Sequence, residues 1–300
     1  MSAVDDSTSG RSPVVTATMG VVATVDADSE LKSYLLVFRC HSGARVRPGQ
    51  RIELKDLPAD SGPITVNLQT RYEQFKEDTP LPRELVFEVH CQARSLEEAR
   101  AMSLPPVGGI AVVISFVTNA AVQAPRFHLA YDVTPGVSSR EFVEALLPDE
   151  AGLLPVGRWI DASSLIDVVS AIIASPEHHR LARALSQYDA ALRNWNVCSR
   201  VMATEHLYMA AEALTKSIER KRRADLQLSE PEHAELLQVD TTKSNWKIVF
   251  HGFVRRQYIF GGDKTLYDAA RNASDGFEHG KDDLGGLSET SHGELLLISI

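Results

Sequence analysis

Between Tyr267 and Gly280 the chain sets Arg271-Asn272 a short way before His279-Gly280, in a stretch that begins with helical spacing. A helix turns about 100° per residue, so Arg271, Asp275 and, more loosely, His279 share one side of it. A guanidinium, an amide and an imidazole converging on one point suit a phosphate. Arginine supplies a planar fork of donors, and histidine carries a proton near neutral pH. The same residues also make an ordinary helix end. Arg271 and Asp275 then form an ion pair one turn apart, Gly276 or Gly280 stops the helix, and His279 is a last-turn cation.

The elements that must position these residues are read as helical from residue 158 onward. Pro148, Gly152, Pro155 and Gly157 mark a linker. Ser163 or Ser164 can cap a helix over 163–173. Ser175 can cap the next, with Pro176 at its first position and Glu177 in its first turn. There Leu181, Leu185, Tyr188 and Leu192 recur at threes and fours, the stripe of an amphipathic helix. A longer helix spans 197–222, with Val201, Leu207, Ala211, Leu214 and Ile218 on its apolar side. Glu212 lies in the middle of that stretch. It either faces solvent or a neighbouring Arg or Lys, or it is a buried acid that orients Arg271. Lys216 and Arg220 belong to a basic helix end that complements the helix dipole and offers a contact for nucleic acid. A short helix over 231–237 follows, then an aromatic, partly helical stretch over 246–260. Gly261-Gly262-Asp263 breaks that stretch, and Asp263 or Thr265 caps the helix carrying Arg271. Phe260–Thr265 lacks the spacing of a phosphate loop, and adjacent His178 and His179 are a weak metal signal.

Residues 14–134 alternate with a period of two. Ile64, Val66 and Leu68 form one apolar set, Leu85, Phe87, Val89 and Cys91 another, and Phe127, Leu129, Tyr131 and Val133 a third. Each set lets one face of a sheet bury apolar side chains. Further strands are expected over 14–25, 35–38 and 51–54. Ser95 with Glu98 and Ser138 with Glu141 read as capping boxes, opening helices over 96–102 and 140–147. The apolar run 109–118 is ambiguous by period, and its length and valines favour a strand. His90 and Cys91 point to opposite faces and cannot share a metal. Asp26, Asp28 and Glu30 read as a solvated loop. The fold class is therefore α+β: a polar, disordered tail over 1–12, a mainly antiparallel β-rich domain over 13–150, and a helical bundle over 158–300.

The chain has 300 residues, 44% hydrophobic and 24% charged, with a net charge of −9. That balance suits a globular chain and argues against a generally basic nucleic-acid coat. Cys40, Cys91 and Cys198 are odd in number and in no ligand spacing, which points to reduced thiols and a cytoplasmic location. No run reaches the length of an uninterrupted apolar membrane span, so no membrane partner is expected. No metal and no cofactor are expected either. The apolar end, Leu295–Ile298, needs cover from the bundle or from a second subunit.

A long helix with Ala210-Ala-Glu-Ala-Leu214, a loop-rich middle and then Ala270-Arg-Asn272 before His279-Gly280 resembles the HEPN superfamily, closest to its ApeA-like and MauJ-type branches. The likeness covers residues 163–300. It implies an antiparallel bundle, frequently a homodimer, whose active members are metal-independent ribonucleases. By that resemblance Arg271 stabilises phosphate charge, Asn272 fixes the scissile phosphate, and His279 is the general acid or base. Seven residues stand between Arg271 and His279, more than the family's usual spacing, and Gly276 can absorb the excess by a bend. Two functions follow. One is a non-catalytic ligand- or partner-binding protein with an accessory or stress-defence role. The other is a metal-independent endoribonuclease acting on RNA at a composite site between two subunits; RNA or a nucleotide is a candidate partner, and the binding reading leaves its ligand open.

Overall fold

Alternation in the first half becomes a sheet with one dry face. The structure, a computed structural model, describes residues 30–278 apart from 75–79, 146, 148–156 and 196–199. The strands are β1 (Lys32–Cys40), β2 (Ala44–Arg45), β3 (Ile52–Leu57), β4 (Ile64–Gln74), β5 (Pro80–Ala93), β6 (Arg126–Asp132), β7 (Phe142–Glu144) and β8 (Arg158–Trp159). Six of them lie side by side in the order β3-β4-β5-β1-β6-β7, each pair antiparallel. Register places Tyr34 opposite Cys91, Leu36 opposite Val89 and Phe38 opposite Phe87, so the buried sets of neighbouring strands share one face. His90 is exposed and Cys91 buried, as the strand period requires. β2 and β8 form a separate parallel pair. A Cβ on Gly157 would lie 1.6 Å from the Gly43 carbonyl oxygen, so glycine is needed where the chain enters β8.

The dry face is covered by α1 (Leu96–Thr118). Ser95 caps it by accepting from the Glu98 backbone N–H at 3.1 Å. The Glu98 carboxylate turns instead to the Arg94 N–H and to Ser61. Residues 109–118, expected as a strand, are the second half of this helix. The β-branched preference there is a weak prior that packing overrides. A run apolar on every side fits a helix covered on more than one side. Val107, Ile110 and Ile114 join the core of the sheet, while Ser103 and Thr118 return their hydroxyls to carbonyls one turn back. By length and hydropathy α1 could cross a membrane; here half of that window is buried within the protein.

A second expectation fails at 140–147. Phe142–Glu144 pairs with β6 as β7 rather than forming a helix. Glu141 makes no cap. Its carboxylate accepts from Lys32 at 3.1 Å and from the Tyr34 hydroxyl at 3.2 Å, which holds this segment to the sheet edge.

The helices that follow are α2 (Ala162–Ala174), α3 (His178–Arg193), α4 (Arg200–Leu226), α5 (Glu230–Leu236), α6 (Trp246–Val254) and α7 (Lys264–Glu278), with a π-helical turn at Arg255–Ile259. Asp161, not Ser163 or Ser164, caps α2 through the Ser164 N–H at 2.8 Å. Ser175 ends α2 rather than opening α3, which starts two residues later than expected. Ser229 and Glu232 complete the capping box of α5. The protein is thus α+β, an antiparallel sheet followed by helices. The expected features over 1–12, 14–25, 26–28, 148–156 and 295–298 lie outside the described residues.

Contact passes from sheet to helices through α1. Leu165 and Val169 of α2 enter the same core. α3 is tied to α1 by Ser115, whose hydroxyl donates to the buried Asp189 carboxylate at 2.6 Å, and by Tyr188, whose hydroxyl donates to Asn119 at 2.8 Å. Asp189 also takes Arg193 at 2.7 Å, and burial raises its pKa. Replacing Ser115 by alanine withdraws one donor from a buried carboxylate. The expected loss is about 1–3 kcal/mol in urea unfolding, and an unchanged midpoint would show that this bond does not tie the two helices.

Candidate functional site

α4, α6 and α7 meet around a polar hollow of about 450 Å³. Three local features build it. First, the π-helical turn inserts a wide loop of backbone after α6, closed by the Phe260 N–H on the Arg255 carbonyl at 3.0 Å. Such turns recur at functional sites because they re-aim side chains that a regular helix would carry elsewhere. Second, Gly261 and Gly262 take left-handed φ values of 59° and 83° and end the helix, and Asp263 accepts from the Leu266 N–H at 2.9 Å to start α7. Third, Gly252 lets α7 close on α6: a Cβ there would lie 3.1 Å from the Tyr267 hydroxyl.

Arg255, Arg256 and Arg271 line the hollow, with Glu212 and Asp275 as the acids facing them. Three cations against two carboxylates leave one positive charge in excess. Arg255 is the most enclosed. Its side chain is 14% exposed, one guanidinium nitrogen lies 3.2 Å from the Glu212 carboxylate, and its Nε is buried with no hydrogen-bond partner. The guanidinium also sits 5.5 Å above the Tyr208 ring. Tyr208 shares a hydrogen bond with Tyr267, and burial pushes its pKa up to about 12 despite the opposing pull of Arg255. Arg256 lies over Phe253 at 4.4 Å. An anion entering here meets guanidinium forks, the Tyr208 and Tyr267 phenols and the Asn245 side chain, all donor-capable.

Arg271 stands on the wall of this hollow, 55% exposed, with its Nε 3.5 Å from the Asp275 carboxylate. The ion pair one turn apart is therefore present, and it faces the hollow. Asn272 is exposed on α7 and is not among the lining residues. His279 lies outside the described residues. Glu212 does not act as a buried support for Arg271. It is 47% exposed and pairs with Arg255, because its place on α4 looks toward the π-helical turn. Lys216 and Arg220 do not line the hollow; Arg220 pairs with Glu177 on α3 instead. His178 and His179 stack with ring centroids 4.0 Å apart. Among the described residues no group of three or more His, Cys, Asp or Glu side chains is placed to hold a metal.

Arg255 and Arg256 were missed by sequence reasoning. Their signal is an Arg-Arg pair inside an aromatic stretch just before Gly261-Gly262, where a buried cation needs a partner. Comparison with protein-family models, with curated proteins and with solved structures found no match.

Beside the hollow, His233 is fully buried, its Nε2 3.3 Å from the Tyr258 hydroxyl and its ring edge-on to Phe250. Burial lowers its pKa, helped by Arg223 and Arg222. His251 is lowered by burial and by Lys216 and Arg255. An unfolded histidine takes up its proton near pH 6.5. Both groups therefore stabilise the fold fully above about that pH, and the contribution is lost as pH falls through it toward their lower folded values. Urea midpoints measured between pH 7.5 and 5.5 should fall more steeply for wild type than for His233→Gln. Equal slopes would remove His233 from the account.

Proposed function

We propose that the protein is a non-catalytic binding protein whose helical half takes a phosphate-bearing ligand, a nucleotide or RNA, in the hollow between α4, α6 and α7. The observation that carries this reading is Arg255: a largely enclosed guanidinium with an unpartnered Nε, beside Arg256 and Arg271 on the same wall. A phosphate group offers the acceptors those donors lack, at a charge that uses the local positive excess. The acidic net charge of −9 fits a local site rather than an extended nucleic-acid surface. The HEPN-like character of the helices, a homodimeric state and a role as an accessory or stress-defence component belong to this proposal.

A second reading is favoured by one fact. Arg271, the arginine of the HEPN-like motif, borders the hollow. Under that reading Arg271, Asn272 and His279 cleave RNA without metal, completed by the same residues of a second subunit across a two-fold axis.

Two assays separate these readings. Binding is followed by the fluorescence polarisation of a labelled oligouridylate. Arg271→Ala is an exposed change that leaves folding within about 0.5 kcal/mol, and it should weaken binding about tenfold; unchanged affinity in both Arg271→Ala and Arg255→Ala would contradict the site. Cleavage is followed by incubation with total RNA in EDTA. We expect intact RNA from both wild type and His279→Ala. Degradation by wild type that His279→Ala abolishes would reverse the order of the two readings.

A further inference from the structure

A second cavity, of about 720 Å³, lies between α1, the β3–β4 connection and the α2–α3 pair. We propose that it binds an amphipathic carboxylic acid, with the aliphatic body along α1 and the carboxylate at the start of α3.

The volume falls in the range of about 300–1,000 Å³ typical of small-molecule sites. Its walls are mostly aliphatic, including Met102, Val113, Val169 and Ile172. α1 contributes Gly108 and Gly109 in mid-helix. Neither has the left-handed backbone that calls for glycine, and a Cβ on either would meet nothing within 4 Å. Glycine is a poor helix residue beside alanine. Two of them side by side, bordering open space that no other side chain fills, leave room along α1 for a guest. Pro105 and Pro106, one turn earlier on the same wall, keep that surface apolar and free of two backbone donors.

The polar end is equally specific. α3 opens with His178 and His179, both exposed and both on the cavity wall. The N-cap residue Glu177 makes no side-chain bond to the helix amides. Its carboxylate is engaged by Arg180 at 2.8 Å and by Arg220. Two imidazoles therefore stand at the first turn of α3, the His178 Nδ1 lying 3.2 Å from the Ser175 carbonyl, where the helix dipole adds to their positive character. Asp60, on the β3–β4 connection, also lines the cavity, so an acidic head is directed to α3 and away from that loop. Among the described lining residues there is no arginine or lysine, which matches a single carboxylate better than a phosphate.

The test uses the full chain and decanoate, with decanol as a probe of the same tail and no charge, titrated calorimetrically. Saturable one-to-one binding of decanoate, tighter than decanol, is the expected result. His178→Ala combined with His179→Ala should weaken decanoate about tenfold and leave decanol unchanged. Gly109→Leu should abolish binding of both by filling the space, and Ala182→Phe, from the facing wall, should do the same if Gly109→Leu does not fold. Gly109→Ala should raise the thermal midpoint, because its Cβ meets nothing. Absence of saturable decanoate binding, equal affinity for decanol in wild type, or binding that survives both Gly109→Leu and Ala182→Phe would overturn the proposal.

Discussion

An apolar helix of 23 residues that is hydrophobic on nearly all sides must be covered on more than one of them, and α1 sets that requirement for the whole fold. The sheet covers one side with the alternating residues of β1, β4 and β5. α2 and α3 cover another, and the buried Ser115–Asp189 bond fixes where α3 can lie. Once α3 is placed, α4 packs along it, and α4 in turn supplies Tyr208 and Glu212 to one wall of the arginine hollow. The position of the candidate site thus descends from a hydrophobic constraint some distance away.

The hollow itself depends on balancing charge against burial. Arg255 is held by Glu212 and by the face of Tyr208, yet part of its donor set is unspent. A buried cation is tolerated when it is paired, and a buried donor left without an acceptor is a cost that the pairing must offset. Tyr208, hydrogen bonded to Tyr267 and with its pKa pushed up to about 12 by burial, gives the hollow a phenol that keeps its proton. The π-helical turn is the backbone device that brings Arg255 and Arg256 to that place without a break in the chain's helical course.

Much of the fold was legible because its causes are local. The alternation at Ile64, Val66 and Leu68 and at Leu85, Phe87 and Val89 fixes which strand face is dry, and Ser95 with Glu98 marks the start of α1. The failures share a cause. At 109–118 the residue types favour a strand, but the covering of α1 from several directions is a tertiary fact invisible in a short window. At Ser138–Glu141 the capping pattern is present, yet Glu141 finds better partners in Lys32 and Tyr34, which are distant in sequence. The site was half legible. Arg271 and Asp275 were found from helical spacing, whereas Arg255 and Arg256 emerge only once a π-helical turn, which has no simple sequence period, aims them inward. Glu212 was placed correctly on its helix, and of its two readings the neighbouring arginine is the one realised, because the choice between Arg255 and Arg271 is made by how α6 and α7 pack.

The central claim is that the arginine wall between α4, α6 and α7 holds a phosphate-bearing ligand. Amide hydrogen exchange with and without oligouridylate reads this directly across the chain. The account predicts slower exchange confined to the Tyr208–Glu212 turn of α4, Trp246–Val254, the π-helical turn and the Tyr267–Asp275 stretch of α7. Protection on the sheet with none at those helices would contradict it.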